Sequence, residues 1–142
     1  RQIAFCEFER RVHDARREQE LTADDIAGIW MQVQTESLGP AFDFADDYKV
    51  FWSYIPHFIH VPFYVYAYAF GDCLVNALVR VYEQEPAGFE AKYLELLRAG
   101  GTLRHDELLA PFGLDARDPA FWRQGLDVVA GMIDQLEQEF PA

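Results

Sequence analysis

An all-α fold is predicted by three features of the 142-residue sequence: apolar residues recur at three- and four-residue spacing, Gly and Pro punctuate those runs, and no alternating strand pattern competes with them. The first run is Phe5, Phe8 and Val12, a helical face that opens the chain with neither an initiator Met nor an N-cap before Arg1. The expectation is a piece of a longer protein. A second helix is expected from Thr22, whose hydroxyl can cap the backbone with Asp25 three positions on. It carries Ile26, Trp30 and Val33 on one face and stops at Gly39 and Pro40.

From Pro40 to Pro62 the pattern is irregular but holds Phe42, Phe44, Tyr48, Phe51, Trp52, Tyr54 and Phe58, so a packed connection is expected, of the kind that carries sites. Pro62 suits the first turn of a long helix, because its missing N–H would find no partner there anyway. That helix is expected to reach Glu85, with Pro86 as its stop. Phe89, Tyr93, Leu96 and Leu97 run into Gly100 and Gly101, and a short helix from Leu103 to Leu109 follows. Asp118 and Pro119 cap the last helix, whose Trp122, Leu126, Val129, Leu136 and Phe140, with Met132 or Ile133, form one apolar stripe, of which Trp122, Leu126, Val129 and Leu136 are expected to be buried in the common core.

Charge and composition bound the function. Twelve Lys and Arg stand against 24 Asp and Glu, a formal charge of -12, which repels phosphate backbones and anionic lipid. Nucleic acid and membrane are therefore not the expected partners. Cys6 and Cys73, far apart and in no CxxC pair, are poor evidence for a disulfide framework or a thiolate metal site, so a reducing compartment is expected, and the apolar run near Val61–Phe70 is shorter than the roughly 20 residues of a spanning helix. With no basic-then-apolar leader, the expected compartment is the cytoplasm. One domain is the expectation from length.

The densest chemistry lies between Ile55 and Gly71, which holds His57, His60, Tyr64, Tyr66 and Tyr68. A buried phenol without a partner costs about 1–3 kcal/mol, so phenylalanine fills space with less risk. On a helix, Phe63, Tyr66 and Phe70 share one face while Tyr64 and Tyr68 share a roughly opposite one. Both stripes are also compatible with core packing in which each hydroxyl bonds nearby backbone. His57 and His60, three apart, can face one ion, yet zinc sites take three or four protein ligands and no third is evident. HExxH is excluded there, since Phe58 follows His57 and Val stands at 61. His13 and His105, each followed by Asp, lie apart from that cluster, and no G-x-S-x-G elbow occurs.

The string Arg1-Gln2-Ile3-Ala4-Phe5, then Phe8-Glu9 and His13, the Leu21-Thr22 start, Trp52 to Pro56, and His57-Phe58 leading to Pro62-Phe63-Tyr64-Val65-Tyr66 resemble the oligoendopeptidase F family of zinc metallopeptidases, relatives of the thimet-type oligopeptidases. Tyr93 to Leu97, Ala99-Gly100-Gly101, Glu107-Leu108-Leu109 and Phe112-Gly113-Leu114-Asp115 extend the resemblance along nearly the whole chain. His60, and Ala67 where the family often has Gln, depart from it.

The resemblance implies the C-terminal part of a larger, mostly helical zinc endopeptidase that hydrolyses short peptides. Its zinc ion is held by HExxH and a later Glu, all upstream of Arg1, so residues 1–142 are expected to contain no metal ligand. The chain by itself is expected to be inactive and zinc-free, with the missing N-terminal part of the enzyme and short peptides as its partners. By the same resemblance His57 and Tyr66 are the catalytic pair, hydrogen-bonding substrate and oxyanion, with Tyr64 the alternative to Tyr66; Tyr64 and His60 are the expected substrate-binding residues. A competing reading is a non-catalytic acidic helical module that offers Phe42, Phe44, Phe51 and Trp52 to a partner helix.

Overall fold

The computed structural model describes residues 1–141, and no strand occurs among them. Seven α-helices follow one another: α1 (Gln2–Glu18), α2 (Ala23–Leu38), α3 (Pro56–His60), α4 (Tyr66–Gln84), α5 (Phe89–Ala99), α6 (His105–Leu109) and α7 (Pro119–Glu139). Short 3-10 segments cover Gly39–Ala41, Asp46–Tyr54 and Ala110–Phe112. The chain divides into two compact units, Arg1–Ala69 and the residues from Phe70 onward.

In the first unit, α1 and α2 form an antiparallel pair of the kind a short connection enforces. Thr22 starts α2 as its sequence predicts: its hydroxyl accepts the Asp25 N–H at 3.2 Å, and Asp25 Oδ2 accepts the Thr22 N–H at 2.8 Å. Gly39 ends the helix at φ 65, a left-handed setting that glycine takes without a Cβ penalty. Phe5 and Phe8 of α1 pack on Trp30 of α2, with ring centroids 5.5 and 5.2 Å apart, and Phe58 closes over both phenylalanines at 5.4 and 4.9 Å. Ala4, Val33, Ile55 and Val65 complete this core.

The aromatic connection is packed in part. Asp46–Tyr54 winds as a 3-10 helix, whose three residues per turn align Tyr48, Phe51 and Tyr54 on one edge. Tyr48 and Trp52 lean on the core, and Trp30 Nε1 donates to the Tyr48 carbonyl at 3.1 Å. Phe42, Phe51 and Tyr54 remain exposed.

The expected helix from Pro62 to Glu85 is corrected at its start. Residues 61–65 form a turn and α4 begins at Tyr66. The reason is long-range: the Phe63 N–H donates to the Glu9 carboxylate of α1 at 2.8 Å, and Phe63 sits at φ 60, outside the right-handed helical region.

The second unit buries Ala77 and Leu78 of α4 with Leu109, Phe112, Leu114 and Phe121. Asp118 caps α7, its side chain accepting the Ala120 N–H at 2.9 Å. The expected burial of the α7 stripe is corrected too. Trp122 is only partly buried and Leu126, Val129, Met132, Ile133, Leu136 and Phe140 are exposed, because α7 makes its buried contacts through Phe121 and Gly125 instead.

Candidate functional site

His57 is the centre of a polar-aromatic cluster in the first unit. It lies on α3, a single turn started by Pro56, whose ring presets φ for the first helical position. Ile55 just before it is buried, which fixes the entry of the turn. On the other side of the 61–65 turn, Val65 is completely buried and divides Tyr64 from Tyr66, so both phenols point away from the core.

Tyr68 Oη stands 3.1 Å from His57 Nε2. The phenol donates when that nitrogen is bare and accepts when it carries the proton. The Tyr64 ring lies parallel to the imidazole, with centroids 5.9 Å apart and planes 6° from each other. Tyr68 meets His57 edge-on at 5.7 Å and Tyr64 edge-on at 5.9 Å. One imidazole is thus oriented by two phenol rings, one stacked and one hydrogen-bonded.

Of the four sequence-predicted residues, the structure brings His57 and Tyr64 together. Tyr66 is 61% exposed and His60 is exposed at the end of α3. Tyr68, expected on one helix face with Tyr64 but not among the site residues, joins the cluster because the 61–65 turn brings it back to His57, eleven residues earlier. Glu9 was not among the expected site residues, although a carboxylate four positions after Phe5 on the apolar face of α1 is a signal that could mark it.

Metal ligands do not converge here. Among the described residues no group of three or more His, Cys, Asp or Glu could hold a metal ion. Burial pushes the thiols of Cys6 and Cys73 up from their ordinary range, which makes them poorer nucleophiles. No helix among the described residues is long and apolar enough to cross a membrane. In the second unit a groove of about 440 Å3 is lined by Val75, Leu78, Val79, Tyr82, Phe89 and Tyr93, with Glu90 as its charged member, a mostly apolar surface.

The described residues thus form a helical chain that turns Tyr64, Tyr66 and Tyr68 outward beside His57. It belongs to peptidase family M3, whose sequence model matches residues 1–128. Its relatives include the plasmid oligoendopeptidase F of Lactococcus lactis subsp. cremoris, 27% identical over 97% of this chain and 23% of the relative. Oligopeptidase PepF of Bacillus subtilis is 27% identical over 97% of this chain and 21% of its own length. Group B oligopeptidase PepB of Streptococcus agalactiae is 32% identical over 96% of this chain and 23% of its own length. The chain therefore spans about a quarter or less of the relatives it matches. No solved structure matches it.

Proposed function

We propose that residues 55–70 form the peptide-facing wall of an oligoendopeptidase that hydrolyses short peptides. In this reading Tyr66 and His57 donate hydrogen bonds to the scissile carbonyl oxygen as it gains negative charge. Tyr64 and His60 hold the rest of the peptide. Preorganised donors of this kind act without reorganisation at the moment of reaction, and their value rises when water is excluded.

The observation that carries the reading is the outward aim of these side chains. Ile55 and Val65 are the buried residues of the segment, while Tyr64, Tyr66 and Tyr68 are each about half exposed or more. Tyrosines kept for space-filling would turn inward and find backbone partners. The resemblance also implies a zinc ion. The described residues hold no group of three or more His, Cys, Asp or Glu that would fit one, and no step proposed for this chain runs through it.

The test is Tyr66→Phe in the full-length enzyme that contains this chain. Loss of one oxyanion donor lowers kcat by roughly 10² to 10³, equivalent to about 2.7–4 kcal/mol. Helical content should not change. Normal turnover by Tyr66→Phe and by His57→Ala would remove the wall from the mechanism.

A further inference from the structure

Glu9 is an acid inside an aromatic core. It is only 2% exposed, on the face of α1 that carries Phe5 and Phe8. Its Oε1 accepts the N–H of Phe63, 54 residues later, at 2.8 Å. Its Oε2 is buried with no partner. A buried carboxylate with one hydrogen bond is a costly way to fill space, and a leucine there would avoid the desolvation.

The group it holds is unusual as well. Phe63 is the non-glycine residue at positive φ among those described, and such a setting persists only where the surroundings over-determine it. Two contacts do so. The Glu9 carboxylate takes the backbone N–H, and the His13 ring, one turn further along α1, packs on the Phe63 ring with centroids 4.5 Å apart. The turn then returns Val65 to the core, where it is completely buried. Tyr64 is therefore bracketed by two fixed neighbours, one tied to Glu9 and one sunk among the apolar side chains.

We propose that Glu9 is a positioning residue for the His57 site: its bond to the Phe63 N–H holds the 61–65 turn in the left-handed setting that lays Tyr64 against His57. This rests on the peptide-facing reading of that wall. The tether acts through backbone, so what matters is the reach of the acceptor and not its charge. Replacing the carboxylate by a carboxamide keeps an oxygen at the same distance. Shortening the side chain by one methylene keeps the charge and withdraws the oxygen.

The experiment compares Glu9→Gln and Glu9→Asp in the full-length enzyme, alone and with His57→Ala, by steady-state kinetics on a short quenched-fluorescence peptide and by circular dichroism. Glu9→Gln is expected to turn over like the parent. Glu9→Asp is expected to keep its helical signal and lose on the order of 10²-fold in kcat/KM, the scale on which a displacement of about 1 Å acts. That loss should vanish when His57 is already alanine, because residues acting as one unit are not additive.

Undiminished activity of Glu9→Asp overturns the proposal, as does an equal loss in Glu9→Gln, an additive double variant, or a Glu9→Asp protein that has lost its helical signal. If His57→Ala alone were as active as the parent, the reading of the wall would fail, and the positioning role with it. A damaging His57→Ala beside a harmless Glu9→Asp leaves the wall standing and removes only Glu9.

Discussion

Gly125 of α7 lies so close to Cys73 of α4 that a Cβ added to it would stand 2.8 Å from both the Cys73 Cα and its carbonyl oxygen. Those are backbone atoms and cannot swing aside. Gly125→Ala is therefore expected to destabilise the protein by about 1–3 kcal/mol, the usual cost of overpacking, although alanine is the better helix former. Gly131, six positions on in the same helix, meets nothing within 4 Å. There the same replacement should stabilise by about 0.5–1 kcal/mol. Thermal unfolding of the two variants decides it, and shifts of equal sign would contradict the close approach of α4 and α7.

Acid should loosen the first unit through Glu7. Hydrogen bonds from Arg10 and then Arg11 hold its carboxyl well below the usual range, from 4.5 to about 2. Arg11 also reaches Glu36 of α2 at 2.6 Å, so the network joins the two helices. A depressed carboxylate pKa contributes stability that is fully present above 4.5 and lost as pH falls through about 2. Glu7→Gln lacks that contribution. The stability gap between parent and Glu7→Gln should accordingly be widest near neutrality, close across that acid window, and shrink in high salt because the pairs face solvent. Denaturant midpoints measured along a pH series supply the check.

Helix boundaries set by local chemistry were legible in the sequence, whereas those set by distant residues were not. Thr22 with Asp25, Gly39 with Pro40, and Asp118 with Pro119 act within one turn of themselves, so their pattern is enough. Pro62 also looks like a helix start, but Phe63 is bound by a carboxylate 54 residues away, and nothing local announces that. The same limit applies to the site. The residue types around His57 marked the segment, while the partnership of His57 with Tyr68 depends on how the 61–65 turn redirects the chain. Periodicity also misled in α7. A spacing of three and four identifies an apolar face without naming what covers it, and here Phe121 and Gly125 make the buried contacts.

That difference on α7 has a measurable consequence. Phe121 is 2% exposed and packs with Ala77, Leu78 and Phe112, so Phe121→Ala should cost about 3–5 kcal/mol. Leu126, one turn on from Trp122, is 54% exposed. Leu126→Ala should stay within about 0.5 kcal/mol of the parent. Comparable losses at both positions in equilibrium denaturation would restore the stripe to the core.

The last prediction separates the two phenols that orient His57. Tyr68 touches the imidazole through its hydroxyl, at 3.1 Å from Nε2, whereas Tyr64 touches it through the face of its ring. Removing each hydroxyl is therefore a different perturbation. Tyr68→Phe deletes the hydrogen bond and leaves the edge-on ring; Tyr64→Phe leaves the stack intact and deletes nothing that His57 uses. If His57 serves the peptide carbonyl as proposed, a ring free to rotate spends less time aimed at it. One neutral hydrogen bond contributes about 0.5–1.5 kcal/mol net, so Tyr68→Phe in the full-length enzyme should lower kcat/KM by up to about tenfold. Any effect of Tyr64→Phe on kcat should be much smaller, with its changes confined to KM through lost contact with the peptide. Kinetics of both variants on one peptide series, with the His57 ring resonances followed by NMR, provide two independent readouts. A large kcat loss in Tyr64→Phe with none in Tyr68→Phe would mean that the hydroxyl of Tyr64 serves the reaction directly and that the bond between Tyr68 and His57 is dispensable.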